Sequence, residues 1–278
     1  MTKLCDLPIG IYEKALNPKL CIEEKLAAAK NAGYDHMELN IDASPEKIER
    51  LYDQNGALKI RNATIEMDVP IYTLALTANR SYPLGSADPA VRNKGIEIIK
   101  KAIDFSVVVG IRIIHLAAYD DICENENSSA ERLFKEGIAE CVDYASKKGV
   151  ILALETMDTH FMGSIQRVME YVRMMDSPYL QAYVDIGNVT AMDLDPAATL
   201  PAAGRHIVGI HLKDTILNVF RDIPFGQGIV DFERCFETLS KMHYEGFFVV
   251  EMWDHGDIDG DQEIRNAYRF LKHKMSNY

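Results

Sequence analysis

The 278-residue chain has few cysteines, Cys5, Cys21, Cys123, Cys141 and Cys235, and no two of them form a CxxC pair. An odd, scattered set excludes a disulfide framework and a thiolate zinc site. It suits reduced, mostly structural thiols in a cytoplasm. Long apolar runs are missing as well. No stretch approaches the roughly 20 apolar residues of a membrane span, and the opening MTKLCDLPIG lacks the apolar centre of a secretory signal. Neither a membrane nor an export route is expected. Positive charge is in the minority, with 30 Lys+Arg against 42 Asp+Glu and a formal net charge of −12. Such a surface repels a phosphate backbone, which argues against nucleic acid as a partner. It also obliges an anionic substrate to find a local positive pocket.

No low-complexity tract or Pro/Gly/Ser-rich linker divides the chain, and 47% hydrophobic residues suffice for one large core. What recurs is a short β-branched run, a polar stretch and a segment with helical spacing. Eight such runs occur: Ile9–Glu13, His36–Ile41, Thr73–Thr77, Arg112–Ala118, Ile151–Thr156, Gln181–Ile186, Ile207–Lys213 and Phe247–Trp253. Their spacing of about 34 residues suits strand, loop, helix and loop repeated eight times. Helices are expected over Glu23–Ala32, Asp88–Val109 and Ser129–Lys148, each followed by glycine, with Asp88-Pro89 as a helix start. The order predicts parallel strands and a single (β/α)8 TIM barrel over residues 1–278. An open doubly wound sheet is the runner-up, but no GxGxxG follows the first run.

Parallel barrel strands are buried on both faces, so an ionisable residue inside one is costly unless paired or ligated. Four consecutive runs carry one after at least three mostly apolar residues: Glu155 in ILALE, Asp185 in QAYVD, His211 in VGIH and Glu251 in FFVVE. Their positions place them at the C-terminal ends of strands five to eight, where barrel active sites are built. Taken singly, each could be a strand end turned to solvent. Four at equivalent positions favour a divalent metal, because three carboxylates converging without a cation repel one another. Glu38 in HMEL and His115 in IIHL are candidates to orient these ligands or to touch substrate hydroxyls. Lys213, Arg221 and the Gly226-Gln227-Gly228 turn follow the seventh run, and Arg80, Ser81 and Gly85-Ser86 follow the third. Both places could cradle an anion, the turn being read as flexible.

The segments PIGIYEKAL, AGYDHMELNID, ALTANRSYPLGS, VGIRIIHLAAYD, LALETMD, YVDIGN, IVGIHLKDT, IPFGQG, VDFERCFETL and VVEMW run in order along essentially the whole chain. Singly weak and jointly specific, they resemble the sugar-phosphate isomerase/epimerase barrels of the xylose-isomerase-like superfamily. The resemblance implies one divalent ion (Zn, Mn, Co or Mg) held by Glu155, Asp185, His211 and Glu251, with the two glutamates on opposite faces of the substrate. It implies 3-epimerisation of a ketopentose phosphate, L-xylulose 5-phosphate to L-ribulose 5-phosphate, through an enediolate, in pentose and ascorbate catabolism. Asn188 stands where related free-sugar epimerases carry the histidine of DxxH, a difference that bears on substrate choice. Arg221 is the preferred phosphate ligand, with Arg80 and Lys213 as alternatives. An aldose–ketose isomerase of the hydroxypyruvate or hexulose-phosphate type and a non-catalytic sugar-phosphate-binding barrel stay open. So does a homodimer. An endonuclease IV-like enzyme would need further strand-end histidines that the sequence does not supply.

Overall fold

Eight short apolar runs can satisfy their backbone groups on both edges only by closing on themselves, and they do so here. In the computed structural model, which describes residues 3–120, 129–256 and 260–278, the barrel strands are β1 (Ile9–Tyr12), β2 (His36–Ile41), β3 (Ile71–Leu76), β4 (Ile113–Leu116), β5 (Ile151–Glu155), β6 (Leu180–Asp185), β7 (Ile207–Leu212) and β10 (Phe248–Val250). They pair in parallel in the closed order β1-β10-β7-β6-β5-β4-β3-β2. This is the expected TIM barrel. Each strand lies within a few residues of its run, and the eighth ends at Val250, so Glu251 comes just after it.

The helices between strands cover the barrel. Ile22–Ala32 ends at Gly33 with φ +101°, and Pro89–Val109 is capped by Asp88, whose carboxylate accepts from the Ala90 amide at 2.8 Å. Ala130–Lys148 ends at Gly149 with φ +69°. A feature the sequence hid is an antiparallel hairpin, β8 (Asp214–Ile216) and β9 (Val219–Ile223), inserted after β7. Its second strand, VFRDI, reads as loop because Arg221 and Asp222 interrupt its apolar residues, and none of the five is buried. The Gly226-Gln227-Gly228 turn beyond it is not loose. Buried Asp214 accepts from the amides of Gly226 at 2.8 Å and Gly228 at 3.0 Å, which ties the turn to the barrel.

Inside the barrel, Gly209 is required by packing. A Cβ there would lie 2.5 Å from the Tyr183 ring, which fills the barrel beneath the strand ends. Cys141 and Cys235 are buried free thiols, and burial pushes each up to about 12. Cys5 and Cys21 are also free, and Cys123 lies outside the described residues. No helix among the described residues is long and apolar enough to cross a membrane.

At the end of β1, Glu13 is buried and ion-paired with Lys25 at 3.1 Å, Lys47 at 2.6 Å and Arg50 at 3.1 Å, while accepting from the Asn40 amide at 2.8 Å. Burial alone would raise its pKa, but Arg50, Lys47 and Lys25 outweigh it and hold the carboxyl at about 2. A depressed carboxyl contributes stability above its unfolded pKa, and the contribution is lost as pH falls from about 4.5 through about 2. Glu13→Gln is therefore expected to cost about 3 kcal/mol at pH 7, some 5–10 °C in Tm. It should also flatten the acid limb of a Tm-against-pH curve. An unchanged acid limb would show that Glu13 is not ionised by this network.

Candidate active site

The strand ends converge because β10, β7, β6 and β5 are successive neighbours in the barrel. Register sets Glu155 beside Tyr183 and Asp185 beside His211. Glu155, Asp185, His211 and Glu251 each offer a ligand atom, and these atoms lie within 4.8 Å of one another. The His211 Nδ1 is 3.0 Å from Glu155 Oε1 and 3.5 Å from Glu251 Oε2. Asp185 divides its two oxygens. Oδ1 caps the following turn, accepting from the amides of Gly187 at 2.8 Å and Asn188 at 3.0 Å. Oδ2 faces the cluster, fully buried, without a well-directed hydrogen bond.

Beneath the cluster, Glu38 Oε1 lies 2.7 Å from His211 Nε2 and 3.3 Å from His115 Nε2. Its Oε2 accepts from the Thr73 hydroxyl at 2.6 Å and the Tyr183 hydroxyl at 2.9 Å. With Nε2 held by Glu38, Nδ1 of His211 is the nitrogen presented to the cluster. His115 stacks on Tyr183 with ring centroids 4.5 Å apart, and its Nδ1 is 3.3 Å from Glu155 Oε2. Glu38 and His115 thus sit below the ligand atoms, buried, where they orient His211 and Glu155.

Charges in this dry space shift strongly. Burial alone would lower the His211 pKa, but Glu38 and Glu251 outweigh it and hold the ring charged well above the usual range. Burial likewise works against His115, and Glu38 and Glu155 raise it to about 9. Burial pushes Asp185 up to about 7 against the pull of Lys213. Glu251 goes the other way. Lys213 and His211 outweigh its burial and hold it well below the carboxylate range.

Above the cluster opens a cleft of about 210 Å³, lined among others by Tyr12, Glu155, Asn188, Glu251 and Trp253. The basic residues expected around it are placed very differently. Arg80 and Arg221 stand at the rim and share one carboxylate, Asp158, whose Oδ2 is 3.1 Å from Arg80 and 3.7 Å from Arg221. Tyr119 also donates to Asp158, Arg80 lies 4.9 Å over the Tyr119 ring, and Arg221 lies 5.5 Å over Trp253. Lys213 is not a rim residue. It is 4% exposed, with its ammonium 2.8 Å from both Asp185 Oδ2 and Glu251 Oε2. Asn188 is buried at the cleft floor, and its amide donates to the Thr156 carbonyl at 2.8 Å. Ser81 lines the cleft, but Ser86 turns away and accepts from the Asp88 amide at 3.3 Å. Asp158 and Tyr119 join the site only in the folded chain. The available signal was that both lie just beyond strand ends, on the face where barrel loops meet.

A parallel barrel whose C-terminal face carries three carboxylates and an imidazole in one cleft defines a class, and comparison with known proteins agrees. A model of the xylose isomerase-like TIM barrel matches residues 26–274, and the chain belongs to that family. It is 42% identical over 271 residues to L-ribulose-5-phosphate 3-epimerase UlaE of Escherichia coli strain ATCC 8739, covering 97% of this chain and 95% of that protein. The protein of the same name from Shigella sonnei strain Ss046 is also 42% identical, with the same coverage. With epimerases as relatives over nearly its whole length, the chain is an enzyme of the isomerase class. Among solved structures, D-allulose 3-epimerase from a Methylomonas species superposes with a TM-score of 0.81 at 20% identity, covering 98% of each chain. An L-ribulose 3-epimerase superposes at 0.83 with 17% identity, covering 98% of this chain and 95% of its own. At these identities the likeness is one of fold.

The donor set fits a divalent ion. It combines three oxygens of hard character with one oriented imidazole nitrogen, and it includes the buried Asp185 Oδ2, which has no well-directed hydrogen bond and is ion-paired with Lys213 at 2.8 Å. An ion held there requires His211 and Asp185 without their protons. Zn²⁺ added to metal-free protein near pH 7 is therefore expected to release about one proton or more per ion. Calorimetry in buffers of different ionisation enthalpy reads this directly. Affinity should fall throughout as pH drops, because His211 stays charged well above its usual range and burial raises Asp185 to about 7, so both take up protons that compete with the ion. Affinity that does not change from roughly pH 6 to 8 would place the ion elsewhere.

Proposed function

We propose that the chain, acting as one catalytic domain in the cytoplasm, is a metal-dependent 3-epimerase. It interconverts L-xylulose 5-phosphate and L-ribulose 5-phosphate, in pentose and ascorbate breakdown. The observation that carries this reading is the placement of Glu155 and Glu251 at the two ends of the β5-β6-β7-β10 arc, on one cleft and in reach of the same His211 nitrogen. Identity of 42% to proteins named L-ribulose-5-phosphate 3-epimerase supports the substrate.

Inversion at a carbon beside a ketone needs one group to take the proton from one face and a second to return a proton to the other. Glu155 and Glu251 flank the cleft and fill these roles, exchanging them with the direction of reaction. A divalent ion among Glu155, Asp185, His211 and Glu251, Zn²⁺, Mn²⁺, Co²⁺ or Mg²⁺, supplies Lewis-acid stabilisation of the negative charge that develops on the ketose oxygens. Asp185 and His211 serve as ligands, and Glu38 keeps the His211 ring in register for that task. Asn188 at the cleft floor faces the sugar hydroxyls. Arg80 and Arg221 at the rim give a phosphate dianion the positive pocket that a chain of net charge −12 otherwise lacks.

With L-ribulose 5-phosphate in deuterium oxide, the metal-loaded protein is expected to give the 3-epimer carrying solvent deuterium at C3. Glu155→Gln and Glu251→Gln should each lower turnover by roughly 10²–10⁴. Label at C1 or C2 with an aldose product would indicate an aldose–ketose isomerase, and unlabelled product would exclude the two-glutamate route. Arg221→Ala tests the rim. It should reduce kcat/KM for the phosphorylated pentulose far more than for the free sugar, and equal losses would remove Arg221 from the phosphate site.

A further inference from the structure

Lys213 is the first residue after β7, and its side chain runs into the carboxylate cluster rather than out to the loop. Its ammonium lies 2.8 Å from Asp185 Oδ2 and 2.8 Å from Glu251 Oε2. Those oxygens belong to two of the four groups that fit a divalent ion. Among the described residues, no other lysine or arginine makes an ion pair with Glu155, Asp185 or Glu251. Carboxylates buried this closely are costly unless a cation stands between them. The ammonium and the ion therefore need the same oxygens, and a charge of +1 beside an ion of +2 repels it.

We propose that Lys213 is an internal counter-ion that competes with the divalent ion for Asp185 and Glu251 and is displaced toward the cleft when the ion enters. The proposal rests on reading Glu155, Asp185, His211 and Glu251 as an ion site. It explains how three carboxylates stay folded together before an ion arrives. It also gives the displaced ammonium a destination, because Lys213 lines the cleft together with Asn188 and Arg221. Its three N–H donors then face an oxygen-rich substrate. One side chain thus stabilises the empty cluster and afterwards lines the filled site.

Lys213→Met keeps the length of the side chain and removes its charge. In metal-free form the variant is expected to melt about 5 °C or more below the wild type. Its affinity for Zn²⁺, measured by competition with a chelating dye, should rise about tenfold or more, because a repelling charge is gone. A residue that merely packed the cleft would lower stability without tightening the metal. Equal or weaker Zn²⁺ affinity in the variant overturns the competition. Absence of Zn²⁺ binding in both proteins overturns the ion site and the proposal with it. Should Lys213→Met fail to fold, the wild type gives a second reading. Acetic anhydride labelling, read by mass spectrometry, should spare Lys213 in the metal-free protein and modify it once Zn²⁺ is bound. Equal labelling in the two states overturns the displacement.

Discussion

Three carboxylates and an imidazole meet at the C-terminal ends of β5, β6, β7 and β10, largely buried, so their charges act on one another more strongly than they would in water. That repulsion governs most of what surrounds them. Asp185 commits one oxygen to the turn that follows it, so the other is aimed inward. Glu38 holds the far nitrogen of His211, and Thr73 and Tyr183 hold Glu38. Tyr183 in turn fits only because Gly209 opposite has no side chain. The barrel packing and the ligand geometry are therefore one arrangement, with each layer fixing the tautomer or rotamer of the layer above it.

The rim follows a different rule. There the arginines are partly exposed and share Asp158, an arrangement that keeps two like charges side by side in water. Buried and exposed charges play separate parts. The dry cluster suits an ion and proton transfer, whereas the wet rim suits recognition of an anion that arrives from solution. The acidic chain presents its cations at the cleft from separate loops, after β3 for Arg80 and on β9 for Arg221.

Eight apolar runs spaced for strand and helix made the barrel legible in the sequence, because parallel strands buried on both faces must be nearly continuous in hydrophobic residues. The same fact made Glu155, Asp185, His211 and Glu251 conspicuous. An ionisable residue closing such a run has few reasons to be there. Other features depend on distances that no local pattern encodes. Asp158 meets Arg80, Tyr119 and Arg221 only because separate loops fold over one mouth. Lys213 reads as one more basic loop residue, yet a single step past β7 turns it into the barrel rather than out of it. Glu13 is hidden for the same reason, its three cations being drawn from Lys25, Lys47 and Arg50 on two different helices. The hairpin of β8 and β9 is hidden because its strands are short, Arg221 and Asp222 break the second, and the two pair with each other instead of the barrel.

The cluster of Glu38, His115 and His211 also brings ligand atoms close enough to hold an ion, so two placements compete for the same histidine. Anomalous diffraction at the manganese edge from crystals of the Mn²⁺-loaded protein decides between them. The account predicts a single peak at roughly 2–2.5 Å from ligand atoms of Glu155, Asp185, His211 and Glu251. A peak between Glu38, His115 and His211, or none at the strand ends, would contradict it.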